Sequence, residues 1–116
     1  MTLINYIEFG ATNMEATQKF YESAFGWTFT HYGPSYMGFK EAGSTEEGGG
    51  FTTESKPGAN PLVILKSEDL ESTKDIIEKA GGKIVKDIYS FPGGRRFHFS
   101  DPSGNELAVW SSEPTV

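Results

Sequence analysis

The order of the predicted helices and strands places the chain in the α+β class, as one βαβββ module used twice. In the first half, a helical stretch ends at Gly26 and a strand-like run, residues 27–31, follows. In the second half, the helical stretch 68–80 ends at Gly81, and another strand-like run follows. Two copies of one module would enclose a trough, and we expect the functional residues to lie there.

Length and composition predict a single domain over residues 1–116. A chain of 116 residues is long enough to form one hydrophobic core. Residues 54–60 contain proline, glycine and polar residues, which are typical of a linker. We therefore place the module boundary there, between modules 1–54 and 61–116.

Charge and cysteine content argue against several classes of function. Ten Lys and Arg stand against sixteen Asp and Glu, for a net charge of −6, whereas nucleic-acid binders need a basic face. No apolar run is long enough to cross a bilayer, and residues 1–5 lack the regions of a secretion signal. Cysteine is absent, which excludes disulfides and thiolate metal ligands. We expect a cytoplasmic protein without nucleic-acid or membrane partners.

The first predicted strand, residues 3–9, has an alternating pattern with Tyr6 and Glu8 on one face and Phe9 on the other. Thr12 or Asn13 can cap the helix that follows. Residues 42–47 are small and polar, which predicts a mobile hairpin loop. This loop separates the last two of three further strands, predicted over residues 27–31, 36–40 and 48–53.

The second module begins with the most apolar predicted strand, residues 61–66. Ser67 is placed to cap the helix after it. The apolar positions of that helix predict a buried stripe of Leu70, Ile76, Ile77 and Ala80. Residues 101–104 form a tight turn between the last two of three strands, predicted over residues 83–89, 95–100 and 105–110.

Three short motifs resemble the vicinal oxygen chelate superfamily, which includes glyoxalase I, bleomycin resistance proteins and extradiol dioxygenases. They are Phe20-Tyr21 with Phe25-Gly26-Trp27, the helix end Ala80-Gly81-Gly82, and the turn Asp101-Pro102-Ser103-Gly104-Asn105. Their order and spacing cover nearly the whole chain. The resemblance implies that the two modules form a curved, mostly antiparallel sheet, with the helices outside and a ligand trough inside. It also implies a homodimer, because edge strands commonly pair across subunits in the superfamily.

The resemblance also supplies a test for metal chemistry, because the superfamily's metal enzymes carry ligands on the inner faces of particular strands. Carried over by position, these ligands fall on Tyr6 in the first strand, Leu62 in the fifth and Ala108 in the eighth. The fourth-strand ligand falls within residues 48–51, which offer no donor side chain. Divalent metals need several nitrogen or oxygen donors at about 2 Å. We therefore expect the usual metal site to be missing, and no cofactor.

A displaced metal site is the alternative. Glu8, His98 and Glu106 carry suitable donors and fall on predicted inner faces by the two-residue period of strands. However, Lys66 and Arg96 on neighbouring positions would compete for the carboxylates as salt-bridge partners.

The same period predicts a ligand-binding set of seven inward-facing residues: Tyr6, Glu8, Lys66, Arg96, His98, Glu106 and Trp110. Glu8 and His98 are also the candidate catalytic groups, because either could act as a general base. Structural roles compete with these functions. Glu8 could form a salt bridge with Arg96 or Lys66, and Trp110 could be a lid or a dimer contact instead of a stacking platform.

Five other aromatic residues are assigned to the core beneath the helices: Phe20, Tyr21, Phe25, Phe97 and Phe99. The leading functional hypothesis is a metal-free, resistance-protein-like member of the superfamily that binds a small molecule in the trough. The second is a lyase or isomerase that uses Glu8 or His98 as base, or a displaced divalent metal. The third is a protein-interaction module within a homodimer.

Overall fold

The computed structural model describes residues 2–112 of the chain. In chain order its elements are β1 (Leu3–Gly10), α1 (Met14–Phe25), β2 (Thr28–His31), β3 (Tyr36–Lys40), β4 (Gly49–Thr52), β5 (Leu62–Lys66), α2 (Leu70–Lys79), β6 (Lys83–Phe91), β7 (Gly94–Ser100) and β8 (Glu106–Ser111). They fall into two compact units. Tyr6–Pro61 forms the amino-terminal unit, and the described residues on either side of it form the carboxyl-terminal unit.

The amino-terminal unit is a four-stranded sheet with α1 on one face. Its strand order is β2-β3-β4-β1, in which β1 and β4 are parallel and the other pairs are antiparallel. Tyr21 of α1 stacks on Trp27 with ring centroids 4.7 Å apart and lies 5.3 Å from Phe51. These aromatic rings cover a buried cluster made of Ala11, Met37, Phe39 and Phe51.

Both ends of α1 have the residues that the sequence predicts. The side chain of Asn13 accepts a hydrogen bond from the Ala16 amide at 2.9 Å, so Asn13, and not Thr12, is the N-cap. Gly26 ends the helix in the left-handed conformation, with φ of 71°. Glycine adopts this conformation without the steric cost of a Cβ atom.

A close backbone approach explains one glycine of β4. A Cβ atom on Gly49 would lie 2.0 Å from the carbonyl oxygen of Ile7 and 2.7 Å from the Phe39 ring. The parallel pairing of β4 with β1 therefore depends on the absence of a side chain at this position.

The carboxyl-terminal unit repeats this arrangement. Its strand order is β5-β8-β7-β6, in which β5 and β8 are parallel and the other pairs are antiparallel. Helix α2 packs on one face over a core of Leu70, Phe97 and Val109, whose side chains are almost completely buried. The predicted α+β class and the doubled βαβββ order are therefore confirmed, and the strand bounds differ from the predicted ones by no more than two residues.

The predicted cap of α2 is wrong. Asp69 caps the helix by accepting a hydrogen bond from the Ser72 amide at 3.1 Å, and the helix begins at Leu70. Ser67 lies too far upstream to cap it. Its buried hydroxyl instead contacts the Asp69 backbone and lies 2.6 Å from the hydroxyl of Thr73.

Several predicted core residues are exposed. Phe20 and Phe25 of α1 are 58% and 55% exposed, and Ile76 of α2 is 62% exposed. Neighbouring residues on a helix point about 100° apart, so the sheet is covered by Tyr21 and by Ile77, which the sequence also predicts to be buried. Phe97 and Phe99 of β7 do belong to the core, as the sequence predicts.

Within residues 2–112, neither helix has the length and apolar composition required to cross a membrane.

Candidate functional site

In the amino-terminal unit, the sheet face opposite α1 is polar. Phe9, Phe39 and Phe51 pack towards the helix, and strand alternation turns Tyr6, Glu8 and Tyr36 to the other face. The loop between β3 and β4 adds Glu47 to this face, and Tyr32 follows β2. We call Tyr6, Glu8, Tyr32, Tyr36 and Glu47 the tyrosine–carboxylate cluster.

Three hydrogen bonds and one close contact between two hydroxyl oxygens connect all five members of the cluster. Tyr6 donates to Oε1 of Glu47 at 2.9 Å, and Tyr32 donates to Oε2 of the same carboxylate at 2.6 Å. Tyr36 donates to Oε2 of Glu8 at 2.9 Å, and its hydroxyl oxygen lies 3.0 Å from that of Tyr6. Both oxygens of Glu47 are therefore bound by phenols from two different segments of the chain.

The environment keeps these phenols protonated. Burial, with the nearby carboxylates, raises the pKa of Tyr6 and of Tyr36 well above the usual range of a phenol. The pKa of Tyr32 is raised mainly by its hydrogen bond to Glu47. All three hydroxyls therefore act as proton donors at neutral pH.

Two glycines make room for the cluster. A Cβ atom on Gly38 would lie 2.2 Å from the Glu47 carboxylate, and one on Gly50 would lie 2.4 Å from the Tyr36 hydroxyl oxygen. Glu47 and Tyr36 thus approach the sheet closely at strand positions that carry no side chain.

In the carboxyl-terminal unit, the face opposite α2 carries a chain of hydrogen bonds around His98. Its Nδ1 lies 2.9 Å from Oε2 of Glu106, and its Nε2 lies 3.1 Å from the hydroxyl of Tyr89. Arg96 donates a hydrogen bond from Nε to the same hydroxyl oxygen, and Lys86 lies 4.2 Å from the centre of the Tyr89 ring. We call Tyr89, Arg96, His98 and Glu106 the histidine relay.

The partners of His98 define its protonation. Burial lowers its pKa, as do the charges of Arg96 and Lys86, and only its contact with Glu106 acts in the opposite direction. Because a carboxylate accepts hydrogen bonds, the proton of the neutral ring belongs on Nδ1, and Nε2 accepts from Tyr89. Both ring nitrogens of His98 are therefore bound by other side chains.

Trp110 lies on the same face of this unit. The ammonium of Lys66 lies 5.0 Å from the centre of its ring, which is within cation–π range. The indole Nε1 donates to Oδ1 of Asn5 at 3.1 Å, and Phe91 lies 6.2 Å away. The Trp110 ring is held in place on more than one side.

Contacts within each unit bring predicted ligand-binding residues together. Tyr6 and Glu8 meet through Tyr36, Arg96 and Glu106 meet through Tyr89 and His98, and Lys66 meets Trp110. Sequence reasoning missed four residues of these networks: Tyr32, Tyr36, Glu47 and Tyr89. The two-residue period of β3 and β6 could have indicated Tyr36 and Tyr89, whereas Glu47 lies in a loop without a period.

Metal-ligand candidates do not gather in the part of the chain that the structure describes. Residues 2–112 contain no group of three or more His, Cys, Asp or Glu side chains that could hold a metal ion. At the positions where the superfamily's metal enzymes carry ligands, Ala108 is fully buried and Tyr6 donates to Glu47.

A separate hollow lies on the other face of the amino-terminal unit. It has a volume of about 440 Å³ and lies between α1 and residues 57–59, with Phe9, Ala16, Phe20, Pro57 and Gly58 in its lining. It is open to solvent and contains no member of the tyrosine–carboxylate cluster.

Comparison with known proteins gives the family and the fold. The model of the Glyoxalase/Bleomycin resistance protein/Dioxygenase superfamily matches residues 3–109. A "Glyoxylase-like domain-containing protein" from Didymella fabae is 30% identical over 118 aligned positions, which cover 91% of each chain.

Solved structures with the same fold include enzymes of different chemistry. A Mn(II)-bound glyoxalase from Novosphingobium aromaticivorans has a TM-score of 0.71 at 19% identity, and the match covers 97% of this chain but only 40% of that one. A methylmalonyl-CoA epimerase from Mycobacterium tuberculosis has a TM-score of 0.74 at 11% identity, with coverage of 96% and 88%. At such low identities, the likeness shows the fold alone.

Proposed function

Since this chain belongs to the glyoxalase/bleomycin resistance protein/dioxygenase superfamily, we propose that it binds a small molecule without the metal site of the superfamily's enzymes. The chemistry of the expected ligand positions carries this proposal. Leu62 and Ala108 have no donor atom, and the hydroxyl of Tyr6 is used by Glu47. A divalent cation needs several nitrogen or oxygen donors in one place, and these residues do not fit it.

The sheet faces opposite the helices support small-molecule binding. They combine aromatic surfaces with a few oriented polar groups, which is the usual composition of a ligand site. In the amino-terminal unit, Tyr6 and Glu8 would contact the ligand. In the carboxyl-terminal unit, the corresponding groups are Lys66, Arg96, His98, Glu106 and Trp110.

Metal analysis and thermal stability measurements test the proposal. We expect the purified protein to carry no stoichiometric metal, and we expect zinc, nickel, manganese and iron(II) to leave its Tm unchanged. Members of a small-molecule library should raise the Tm by several degrees, because a ligand that binds only the folded state stabilises it. A stoichiometric metal bound to the purified protein would contradict the proposal.

Substitutions then locate the site. Trp110→Ala should abolish the Tm shift produced by ligands of the carboxyl-terminal unit. Phe25→Ala is the matched control, because it removes an exposed aromatic side chain of α1 that does not line the hollow or the polar sheet faces. If both variants respond to the ligand equally, Trp110 does not take part in binding.

Proton transfer is the second candidate function, and the histidine relay favours it. Glu8 and His98 are the candidate bases from the sequence, but Tyr89 covers Nε2 of His98. His98 would therefore exchange a proton with a ligand through the Tyr89 hydroxyl, in a lyase or isomerase reaction. Loss of the α-proton signal of carbonyl compounds incubated in D2O would reveal this activity by NMR. Tyr89→Phe and His98→Gln should abolish it, and Asn60→Ala, in an exposed connecting segment, should not.

Homodimer formation is a further proposal. Leu3 and Ile4 of β1 are 59% and 64% exposed, although both are large apolar residues. Sedimentation analysis of the protein and of Ile4→Glu would test this, and a monomeric wild-type protein would contradict it. The cytoplasmic location and the resistance-protein role remain predictions from the sequence.

A further inference from the structure

We propose that the hydroxyls of Tyr6 and Tyr32 form a seat for the carboxylate of a small-molecule ligand, and that Glu47 occupies this seat until the ligand replaces it. The inference rests on the proposed function, because it assumes that a small molecule binds the polar face of the amino-terminal unit. The inference adds the chemical class of the ligand, a carboxylate. It also adds that Glu47 of the chain itself limits access to the seat.

The geometry around Glu47 is that of a bound carboxylate. Tyr6 donates to Oε1 at 2.9 Å and Tyr32 donates to Oε2 at 2.6 Å, so each oxygen has its own donor. Hydrogen bonds to an ionised acceptor are stronger than those between neutral groups. A planar group with two equivalent oxygens satisfies both phenols at once, and a carboxylate on a ligand would do the same.

The sheet beneath Glu47 is shaped to receive this group. A Cβ atom on Gly38 would lie 2.2 Å from Oε2 and 2.5 Å from Oε1 of Glu47. The hollow above Gly38 is therefore filled by the carboxylate and would be closed by any side chain at that position.

Glu47 is held at this seat by a loop that can release it. The connection between β3 and β4 turns at residues 41–44, where the Ser44 amide bonds to the Glu41 carbonyl at 3.0 Å and Gly43 has φ of 84°. Residues 41–46 are exposed. The Gly48 amide anchors the end of the loop to the Phe39 carbonyl at 2.9 Å, so a change in the Glu47 rotamer can vacate the seat while the strands stay paired.

The charge of Glu8 does not exclude an anion here. Glu8 accepts a hydrogen bond from Tyr36, and Tyr36 contacts Tyr6, so the folded protein already holds Glu47 close to a second carboxylate. Burial raises the pKa of Tyr6, which keeps its hydroxyl a donor while an anion is bound.

A tethered carboxylate competes with a free one. Glu47 is present at high effective concentration because it belongs to the same chain, and its occupancy of the seat lowers the apparent affinity for a ligand. Removal of the Glu47 side chain should therefore strengthen the binding of a carboxylate.

Benzoate, with benzamide as its neutral counterpart, is a suitable probe in NMR titrations of the backbone amides of Tyr6, Tyr32 and Gly48. Glu47→Ala should bind benzoate at least about tenfold more tightly than the wild-type protein, which corresponds to about 1.4 kcal/mol. Glu46→Ala is the matched control, because it removes the same charge from the exposed neighbouring residue and should bind like wild type. Benzamide should bind Glu47→Ala at least tenfold more weakly than benzoate.

Two further substitutions, each combined with Glu47→Ala, test the seat itself. Tyr32→Phe should weaken benzoate binding about tenfold, because one oxygen loses its donor. Gly38→Ala should abolish it by filling the hollow. Equal benzoate affinity in Glu47→Ala and Glu46→Ala would overturn the proposal, and so would benzamide binding as tight as that of benzoate. Neither result decides whether the wild-type protein binds a small molecule, because the Tm measurements with the small-molecule library test that separately.

Discussion

The Nδ1 atom of His98 lies 2.9 Å from a carboxylate oxygen of Glu106. Register explains the contact: His98 pairs with Ala108, and Glu106 lies two residues away on the same face of β8. The side chain of His98 is 11% exposed and that of Glu106 is 51% exposed. The pair therefore connects a buried ring to solvent.

This burial predicts a pH-dependent stability. The pKa of His98 is lowered in the folded state, so the unfolded chain takes up a proton first as the pH falls below about 6.5. The contribution of His98 is complete above that pH and is lost as the pH falls towards the lower folded-state value. We expect the Tm to fall between pH 7 and pH 5, and to fall less in His98→Gln. Parallel Tm curves for the two proteins would contradict this.

Glu106→Gln should extend this loss of stability to lower pH. The carboxylate is the one neighbour that raises the pKa of His98, whereas burial and the charges of Arg96 and Lys86 lower it. Without the Glu106 carboxylate, the pKa of His98 in the folded protein should fall further. Titration of the His98 ring, followed by NMR, measures this pKa directly. Glu71→Gln is the control, because it removes an exposed carboxylate that pairs with Arg95 instead. An unchanged His98 titration in Glu106→Gln would contradict the prediction.

Gly49→Ala should destabilise the protein by about 2–3 kcal/mol, because the added carbon would meet the Ile7 carbonyl and the Phe39 ring. Gly48→Ala is the neighbouring control. Its Cβ atom would lie 3.2 Å from a side-chain oxygen of Glu41, which can move, so we expect a loss of less than about 1 kcal/mol. Urea unfolding of both variants measures the difference, and equal losses would show that β1 and β4 can separate locally.

Phe97→Ala and Phe20→Ala should differ strongly in stability. Phe97 is fully buried, and its truncation should cost about 3–5 kcal/mol of unfolding free energy. Phe20 is 58% exposed and contacts Tyr21 and Phe25 edge to face, so its truncation should cost about 1 kcal/mol or less. Urea unfolding of the two variants tests the assignment, and a large loss for Phe20→Ala would place that ring in the core.

Asn13→Ala should lower the stability by about 1 kcal/mol, because the Ala16 amide loses its hydrogen bond at the start of α1. Asn13→Ser should keep most of the wild-type stability. Asn60→Ala, in an exposed connecting segment, should change the stability by less than about 0.5 kcal/mol. Thermal unfolding of the three variants makes the comparison. A loss for Asn60→Ala as large as that for Asn13→Ala would argue against a capping role.

The sequence predicts the strands of this chain well because alternation and glycine stops are local signals. It predicts the face of a helix less well. Phe20 and Tyr21 are adjacent aromatic residues, and only packing against the sheet decides that Tyr21 is the one that is covered. In the same way, Ser67 and Asp69 are both good caps, and the actual start of α2 decides between them.

The sequence predicts only part of the candidate site. The two-residue period of a strand indicates the face of the sheet on which a side chain lies, but not the side chain that it contacts. It placed His98 and Glu106 on one face, and their hydrogen bond follows from the register of β7 and β8. It could not indicate that Glu47 meets Tyr6 and Tyr32, since those residues are far apart in the chain and Glu47 lies in a loop.

The chain has two tryptophans, and each lies in a different unit and a different environment. Trp27 stacks between Tyr21 and Phe39, with centroids 4.7 Å and 4.4 Å away, whereas Trp110 lies beneath the ammonium of Lys66. Each unit therefore contains its own fluorescent reporter. Single-tryptophan proteins made by Trp27→Phe or Trp110→Phe would report whether the two units unfold together or one before the other.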